Sequence, residues 1–198
     1  MSRNRESREL NATNPRLIVV SAPSGAGKTT LCHMLLDKYS NIQPSVSTTT
    51  RPRRSNEVEG RDYFFVSEET FDQKIKNNDF AEWAEVHGNR YGTERKAIEN
   101  ALAKNNHILF DIDYQGAINL QKLYTNKTLL FFIHPPSMEE LSKRLNERKT
   151  DSEAIIARRL QNAYNEVAWS KSFDYEIVND NLEQAFQDLS TILEKECL

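Results

Sequence analysis

Three short apolar runs punctuate the chain, Leu17-Ile18-Val19-Val20, Ile108-Leu109-Phe110 and the stretch 128–133, and Tyr175-Glu176-Ile177-Val178 reads as a last strand. Unbroken and rich in β-branched and aromatic residues, such runs read as strands covered on both faces. Between them the apolar positions take up helical spacing. Leu31, Met34, Leu35 and Leu36 follow the first run, and the spacing predicts further helices over 93–104 and 115–123. Pro135-Pro136 stops the third strand and Ser137 caps the next helix, with Glu139 and Glu140 in its first turn. A charged stretch at Lys149-Thr150-Asp151 precedes another helix to about Trp169, and a last one covers 182–193. Strands alternating with helices predict an α/β domain built on a parallel sheet flanked by helices.

The alternation is interrupted between residues 43 and 92. A strand is expected over 42–50, then a loop around Pro52, a strand over 63–66, and a helix opened by Ser67 with Phe71 and Ile75 on one face. Two short strands, 80–86 and around Tyr91, are joined by a turn at His87-Gly88-Asn89. This excursion reads as a lobe inserted beside the sheet. The 198 residues then divide into a polar tail (1–14), a core (15–42, 93–141 and 171–198), the lobe (43–92) and a region over 142–170.

Between the first strand and the first helix stands Ser21-Ala22-Pro23-Ser24-Gly25-Ala26-Gly27-Lys28-Thr29-Thr30. Small residues let successive backbone N–H groups converge on one anion, and the helix N-terminus adds the positive end of its dipole. Lys28 then reaches outer phosphates and the Thr29 hydroxyl is placed for Mg²⁺, as in G-x-x-x-x-G-K-[ST] loops. Ala22 stands where the first glycine belongs, and a positive φ there would be costly.

Composition fits a globular protein with a sizeable core: 38% of residues are hydrophobic and 28% charged. The net charge of −3 gives no global field to attract nucleic acid or an anionic membrane, and neither is expected as a partner. Cys32 and Cys197 lie far apart without metal-ligand spacing, so no disulfide framework or zinc site is expected. Apolar runs fall short of membrane-spanning length, and residues 1–14 lack a secretory pattern. A cytoplasmic protein with a frayed N-terminal tail is expected.

Several charged groups stand out against this frame. Asp111 and Asp113, two apart at the end of a strand, would emerge on one side, either as turn-forming acids or as carboxylates toward Mg²⁺. Arg144 and Arg148 share a helix face and Arg159 follows the charged interruption. They are a solvated face or cations around a migrating phosphoryl group. In the lobe, Arg51 and Arg54 suit forked contact with phosphate oxygens, although a basic loop also suits RNA. Glu82, among Phe80, Trp83 and Val86, either points outward or accepts N–H groups from a guanine edge.

Together the blocks SAPSGAGKTT, VSTTTRPR, EWAEVHGNRYGT, LFDIDYQG and IVND resemble guanylate kinase, bacterial type, over nearly all of the chain from Arg16. The resemblance implies a P-loop NTPase-type sheet with a nucleoside-monophosphate-binding lobe and a helical lid. It implies transfer of a phosphoryl group from ATP to GMP, with dGMP tolerance and oligomeric state left open. It places ATP along Ala22, Pro23, Ser24, Gly25, Ala26, Gly27, Lys28, Thr29 and Thr30, with Asn179 and Asp180 near the adenine. GMP would meet Arg51, Arg54, Tyr63 and Tyr91 through its phosphate, and Ser47, Glu82, Thr93 and Asp113 on its guanine side. Thr29 and Asp111 would lie toward Mg²⁺, and Lys28, Arg144, Arg148 and Arg159 around the transferring group. The sequence departs from the family pattern at Asn56 (usually Gly), at Arg53 (usually Pro) and at Lys149 (often Gly). Two other readings are a guanylate-kinase-like scaffold module and a relative such as ribose bisphosphate kinase. The retained Lys28 and Thr29 speak against the first, and Ser47 with Glu82 against the second.

Overall fold

The computed structural model describes residue 10 and residues 14–86, 88–147 and 152–197. Along the chain these form β1 (Leu17–Ser21), α1 (Lys28–Lys38), β2 (Ile42–Pro44), β3 (Thr48–Thr49) and β4 (Phe64–Phe65). Next come α2 (Glu68–Lys76), β5 (Phe80–Val86), β6 (Asn89–Glu94), α3 (Arg95–Ala103), β7 (His107–Asp111) and α4 (Tyr114–Leu123). The remainder is β8 (Thr128–His134), α5 (Met138–Glu147), α6 (Glu153–Ala168), a 3-10 turn (Ser170–Ser172), β9 (Tyr175–Val178) and α7 (Leu182–Glu196).

Five strands pair in parallel in the order β2-β7-β1-β8-β9. β1 lies at the centre and is buried along its whole length. Because successive side chains alternate, one apolar run supplies two cores. Ile18 and Val20 pack with Leu31 and Leu35 of α1 and Leu189 and Leu193 of α7. Leu17 and Val19 pack on the other face with Ile98 of α3 and Ala117 and Leu120 of α4. Each such fully covered aliphatic side chain contributes roughly 1.5–3 kcal/mol. The expected α/β architecture with a parallel, helix-flanked sheet is thus the observed one.

The excursion forms a second sheet in the order β4-β3-β6-β5, with β3 and β5 antiparallel to β6. The single strand expected over 42–50 is in fact two. Ser45 N–H donates to Leu109 O in the parallel sheet (2.8 Å), whereas Ser47 O accepts from Phe64 N–H in the second (2.9 Å). Backbone partners therefore change sheets within Ser45-Val46-Ser47. The strand expected to carry both Asp111 and Asp113 is also shorter, because Asp113 leaves it to cap α4, accepting from Gly116 N–H at 2.9 Å. The two carboxylates do not share a strand face. The tail, read as frayed, includes a docked residue: Leu10 is buried and exchanges hydrogen bonds of 2.9 and 2.7 Å with the Asn41 side chain.

Candidate functional site

The turn between β1 and α1 lies at the carboxyl end of the parallel sheet, where open α/β sheets bind ligands. Gly25 and Gly27 take φ of 99° and 95°, in the region glycine adopts without steric cost. Gly27 also has no room for a side chain, since a Cβ there would lie 2.2 Å from Asn179 Nδ2. Ala22, by contrast, is outside the positive-φ region, which among the described non-glycine residues holds only Asn78 and Asn105. Replacement of the first glycine therefore introduces no backbone strain.

Asp111 gathers the two functional side chains that follow the turn. Lys28 Nζ lies 2.6 Å from its Oδ1, and the Thr29 hydroxyl donates to its Oδ2 at 3.0 Å. Lys28 also donates to Ile112 O at 3.2 Å. Burial pushes the Lys28 pKa down, but Asp111 outweighs it and the pKa is raised. Beside this group a cavity of ≈ 420 Å³ is lined by Gly25, Gly27, Thr30, Arg144, Asn179 and Asp180, among others. Asn179 is buried and ties the wall to the turn, donating to Ala26 O at 2.7 Å.

The second sheet contributes a group of cations and rings. Arg51 is anchored by Glu57 at 2.6 Å and lies over the rings of Tyr63 and Phe65, at 5.3 and 5.8 Å from their centroids. Tyr63 and Tyr91 meet edge to face at 5.9 Å. Glu57 also accepts from Arg54 N–H at 2.8 Å, and the bonds from Arg51 and Arg54 hold its carboxyl below the usual range. Arg51, Arg54, Tyr63 and Tyr91 are thus neighbours.

Glu82 is turned inward. β5 shows a register irregularity between Phe80 and Glu82, and Phe80, Ala81 and Glu82 are all buried. Glu82 faces Thr93 across the pair, and a Cβ on Gly116 would lie 2.8 Å from its Oε2. Burial pushes its pKa up to about 7, the charge of Asp113 adding to this and Thr93 opposing it. The alternative of an outward strand residue is ruled out by its 6% exposure.

Comparison with known proteins decides the family. The guanylate kinase family model matches residues 14–196. A guanylate kinase of Polaromonas sp. (strain JS666) is 49% identical over 177 residues, 89% of this chain and 85% of that protein. The guanylate kinase of Geobacter sulfurreducens is 46% identical, over 91% and 89% of the two chains. The chain belongs to the guanylate kinase family. A crystal structure of guanylate kinase from Anaplasma phagocytophilum superposes with a TM-score of 0.77 at 36% identity, covering 96% of this chain and 89% of that one. A gluconokinase from Sinorhizobium meliloti (TM-score 0.54, 15% identity, 96% and 95% covered) shares the fold. The fold is that of the P-loop NTPases, and the chain is a phosphotransferase of nucleotides.

Within this guanylate kinase fold, the arginines after β8 divide between different tasks. Arg144 points both terminal nitrogens at Asn179 O (3.2 Å each) and lines the cavity wall, with Glu140 at 3.4 Å. Arg159 on α6 donates to the Ser24 hydroxyl at 3.3 Å, reaching the turn itself. Arg148 and Lys149 lie outside the described residues. Asn56 has no positive φ, so the loop closes there without the family's glycine, and Arg53 donates to Glu57 O at 3.2 Å. Ser47 stands where the chain enters the second sheet and Asp180 is exposed at the cavity rim.

Two further charged groups beside the site do not stand out in the sequence reading. Glu57 sits in a polar loop six residues after Arg51, a separation with no periodic meaning outside a helix or strand. Glu166 on α6 has its pKa pushed up to about 7 by burial, opposed by Lys28 and reinforced by Asp113. Its signal was available, seven residues after Arg159 and so on the same helix face. Among the described residues no helix is long and apolar enough to cross a membrane. Both cysteines are free and buried.

Proposed function

We propose that this protein transfers the γ-phosphoryl group of ATP to GMP, giving ADP and GDP, with the donor on the glycine turn and the acceptor in the second sheet. The observation that carries the choice of acceptor is Glu82: a buried carboxylate at the meeting of lobe and core, suited to accept the N–H groups of a guanine edge. Asp113 and Thr93 stand beside it, and Ser47 is assigned to the same side. Arg51 and Arg54, with Tyr63 and Tyr91, hold the acceptor phosphate, and Glu57 keeps Arg51 pointed for it. An acid that recognises N–H donors discriminates strongly, because a base presenting a carbonyl there leaves the buried carboxylate unpaired.

The donor phosphates lie along residues 22–30, on main-chain N–H groups and the end of α1, with the base in the cavity walled by Asn179 and Asp180. The hydroxyl of Thr29 and the carboxylate of Asp111 are hard oxygen donors 3.0 Å apart, a set that fits Mg²⁺ held mainly by phosphates and water. When bound, the ion would supply neutralisation of the donor's phosphate charge. Lys28 leaves Asp111 for the outer phosphates, while Arg159 and Arg148 gather positive charge about the migrating group and Arg144 does so from the cavity wall. Closing of 43–92 and 142–170 toward the core excludes water.

Calorimetric titration of GMP and AMP into the wild type and into Glu82→Gln tests this. GMP should bind and AMP should not, and the variant should lose GMP affinity with ATP affinity retained. Equal loss for GMP and ATP contradicts the assignment.

A further inference from the structure

Arg90 precedes Tyr91 on β6, and its side chain turns back onto α2. Nη1 donates to Asp72 Oδ1 at 2.6 Å, while Nη2 donates to the Glu68 carboxylate and, at 3.0 Å, to Glu68 O. The guanidinium lies 4.9 Å from the centroid of the Phe71 ring. Glu68 and Asp72 are four apart on one face of α2, where like charges repel unless a cation stands between them. Phe71 is fully buried and meets the Phe80 ring at 4.5 Å, so the helix that holds Arg90 is itself fixed on β5. Two carboxylates and a ring suit the flat fork of an arginine better than the point charge of a lysine.

The main chain of the same residue joins two strands. β3 and β6 pair at Thr48 with Gly92 and at Thr49 with Tyr91. Beyond these pairs the join is carried by Arg90. Its N–H donates to Thr50 Oγ1 at 3.0 Å, and its carbonyl accepts from Thr50 N–H at 3.0 Å and from the Thr49 hydroxyl at 2.9 Å. The buried Thr49 hydroxyl in turn accepts from Arg51 N–H at 3.1 Å. Arg51 therefore leaves the sheet from a point that Arg90 sets, and Tyr91 follows Arg90 directly.

We propose that Arg90 is a positioning residue for the acceptor phosphate: its side chain braces β6 against α2, and its main chain passes that placement to Arg51 and Tyr91. The inference rests on the reading that Arg51 and Tyr91 hold the phosphate of GMP. These two and Tyr63 come from separate segments, yet the Tyr63 ring lies 5.9 Å from that of Tyr91 and 5.3 Å from the Arg51 guanidinium. Forked contact with a phosphate tolerates little misplacement of the groups that make it. The guanidinium of Arg90 is turned to α2 and acts on the phosphate only through these neighbours. The guanine side is placed separately, since Glu82 faces Thr93 across the β5–β6 pair and packs against Gly116 of α4. Loss of the brace therefore falls on the phosphate and not on the base.

The test is calorimetric titration of GMP and of Mg·ATP, with guanosine measured by competition against GMP. It compares the wild type, Arg90→Ala and the double variant Glu68→Gln/Asp72→Asn. Both variants should bind GMP about tenfold more weakly, with guanosine and ATP affinities unchanged. The double variant leaves β6 intact and alters only exposed side chains of α2, so it carries the test should Arg90→Ala fail to fold. Removing two negative charges would by itself favour an incoming phosphate, so weaker binding reports the lost brace. Retained GMP affinity in either folded variant overturns the proposal, as does a loss of guanosine affinity in proportion to that of GMP, the mark of a merely structural role. An Arg51→Ala control separates the two readings. If it binds GMP as well as the wild type, the assignment of Arg51 fails; if it is weakened while the Arg90 and α2 variants are not, the Arg90 inference alone fails.

Discussion

The side-chain amide of Asn179 donates to the carbonyl of Ala26 at 2.7 Å, joining residues 153 apart in sequence, and the same amide occupies the space a side chain on Gly27 would need. The loop after β9 thereby sets the shape of the turn after β1. Gly27→Ala should lower stability by about 1–2 kcal/mol from the left-handed backbone alone, with the broken amide contact adding to it. Urea denaturation measures the loss, and an unchanged midpoint would contradict the packing.

Lys28→Ala should leave the fold intact and reduce turnover roughly 10²–10³-fold, the scale for removing one preorganised electrostatic group. Coupled detection of ADP release checks this. Retention of normal turnover would remove the lysine from the mechanism.

Glu82 links acceptor recognition to pH. Its folded pKa, about 7, lies above the unfolded value, so protons are bound more tightly in the folded state. The stability this confers is complete below the unfolded pKa and is lost as pH rises toward 7 and above. Glu82→Gln should therefore raise the melting temperature at pH 8 more than at pH 5, while raising the KM for GMP. A variant less stable than the wild type at pH 8 would contradict the burial argument.

Gly116→Ala probes the same carboxylate without touching it. A Cβ 2.8 Å from Glu82 Oε2 displaces the flexible end of that side chain, while α4 gains about 1 kcal/mol of helix propensity. The expected result is a stable protein with a several-fold higher KM for GMP and an unchanged KM for ATP. Equal change in both would place the effect elsewhere.

The elements legible in the sequence were those whose signal is local. β1 and most of β8 are continuous apolar runs, and Gly25-Ala26-Gly27-Lys28-Thr29 carries its chemistry in adjacent residues. What could not be read depended on partners distant in sequence. The step at Ser45-Val46-Ser47 is fixed by Leu109 on one side and Phe64 on the other, so the run 42–50 looked like one strand. The register irregularity beside Glu82 arises in its pairing with β6, and the room for its carboxylate is set by Gly116 on α4, neither of which is visible in the residues around it. Arg144 was read with the other arginines by helix spacing, yet its carbonyl partner on Asn179 lies 35 residues away. Glu166 was within reach of periodicity, but one carboxylate on a helix of mixed composition gives no hint of what lies opposite it.

The most direct measurement is a screen of the four ribonucleoside monophosphates as acceptors, each with Mg·ATP and with nucleoside diphosphate product quantified. Phosphorylation of GMP at least about a hundredfold faster than of AMP, CMP or UMP is the predicted result, the discrimination expected when a buried polar group is left unpaired by the wrong base. Comparable transfer to AMP or a pyrimidine nucleotide, or no transfer to GMP, would contradict the account.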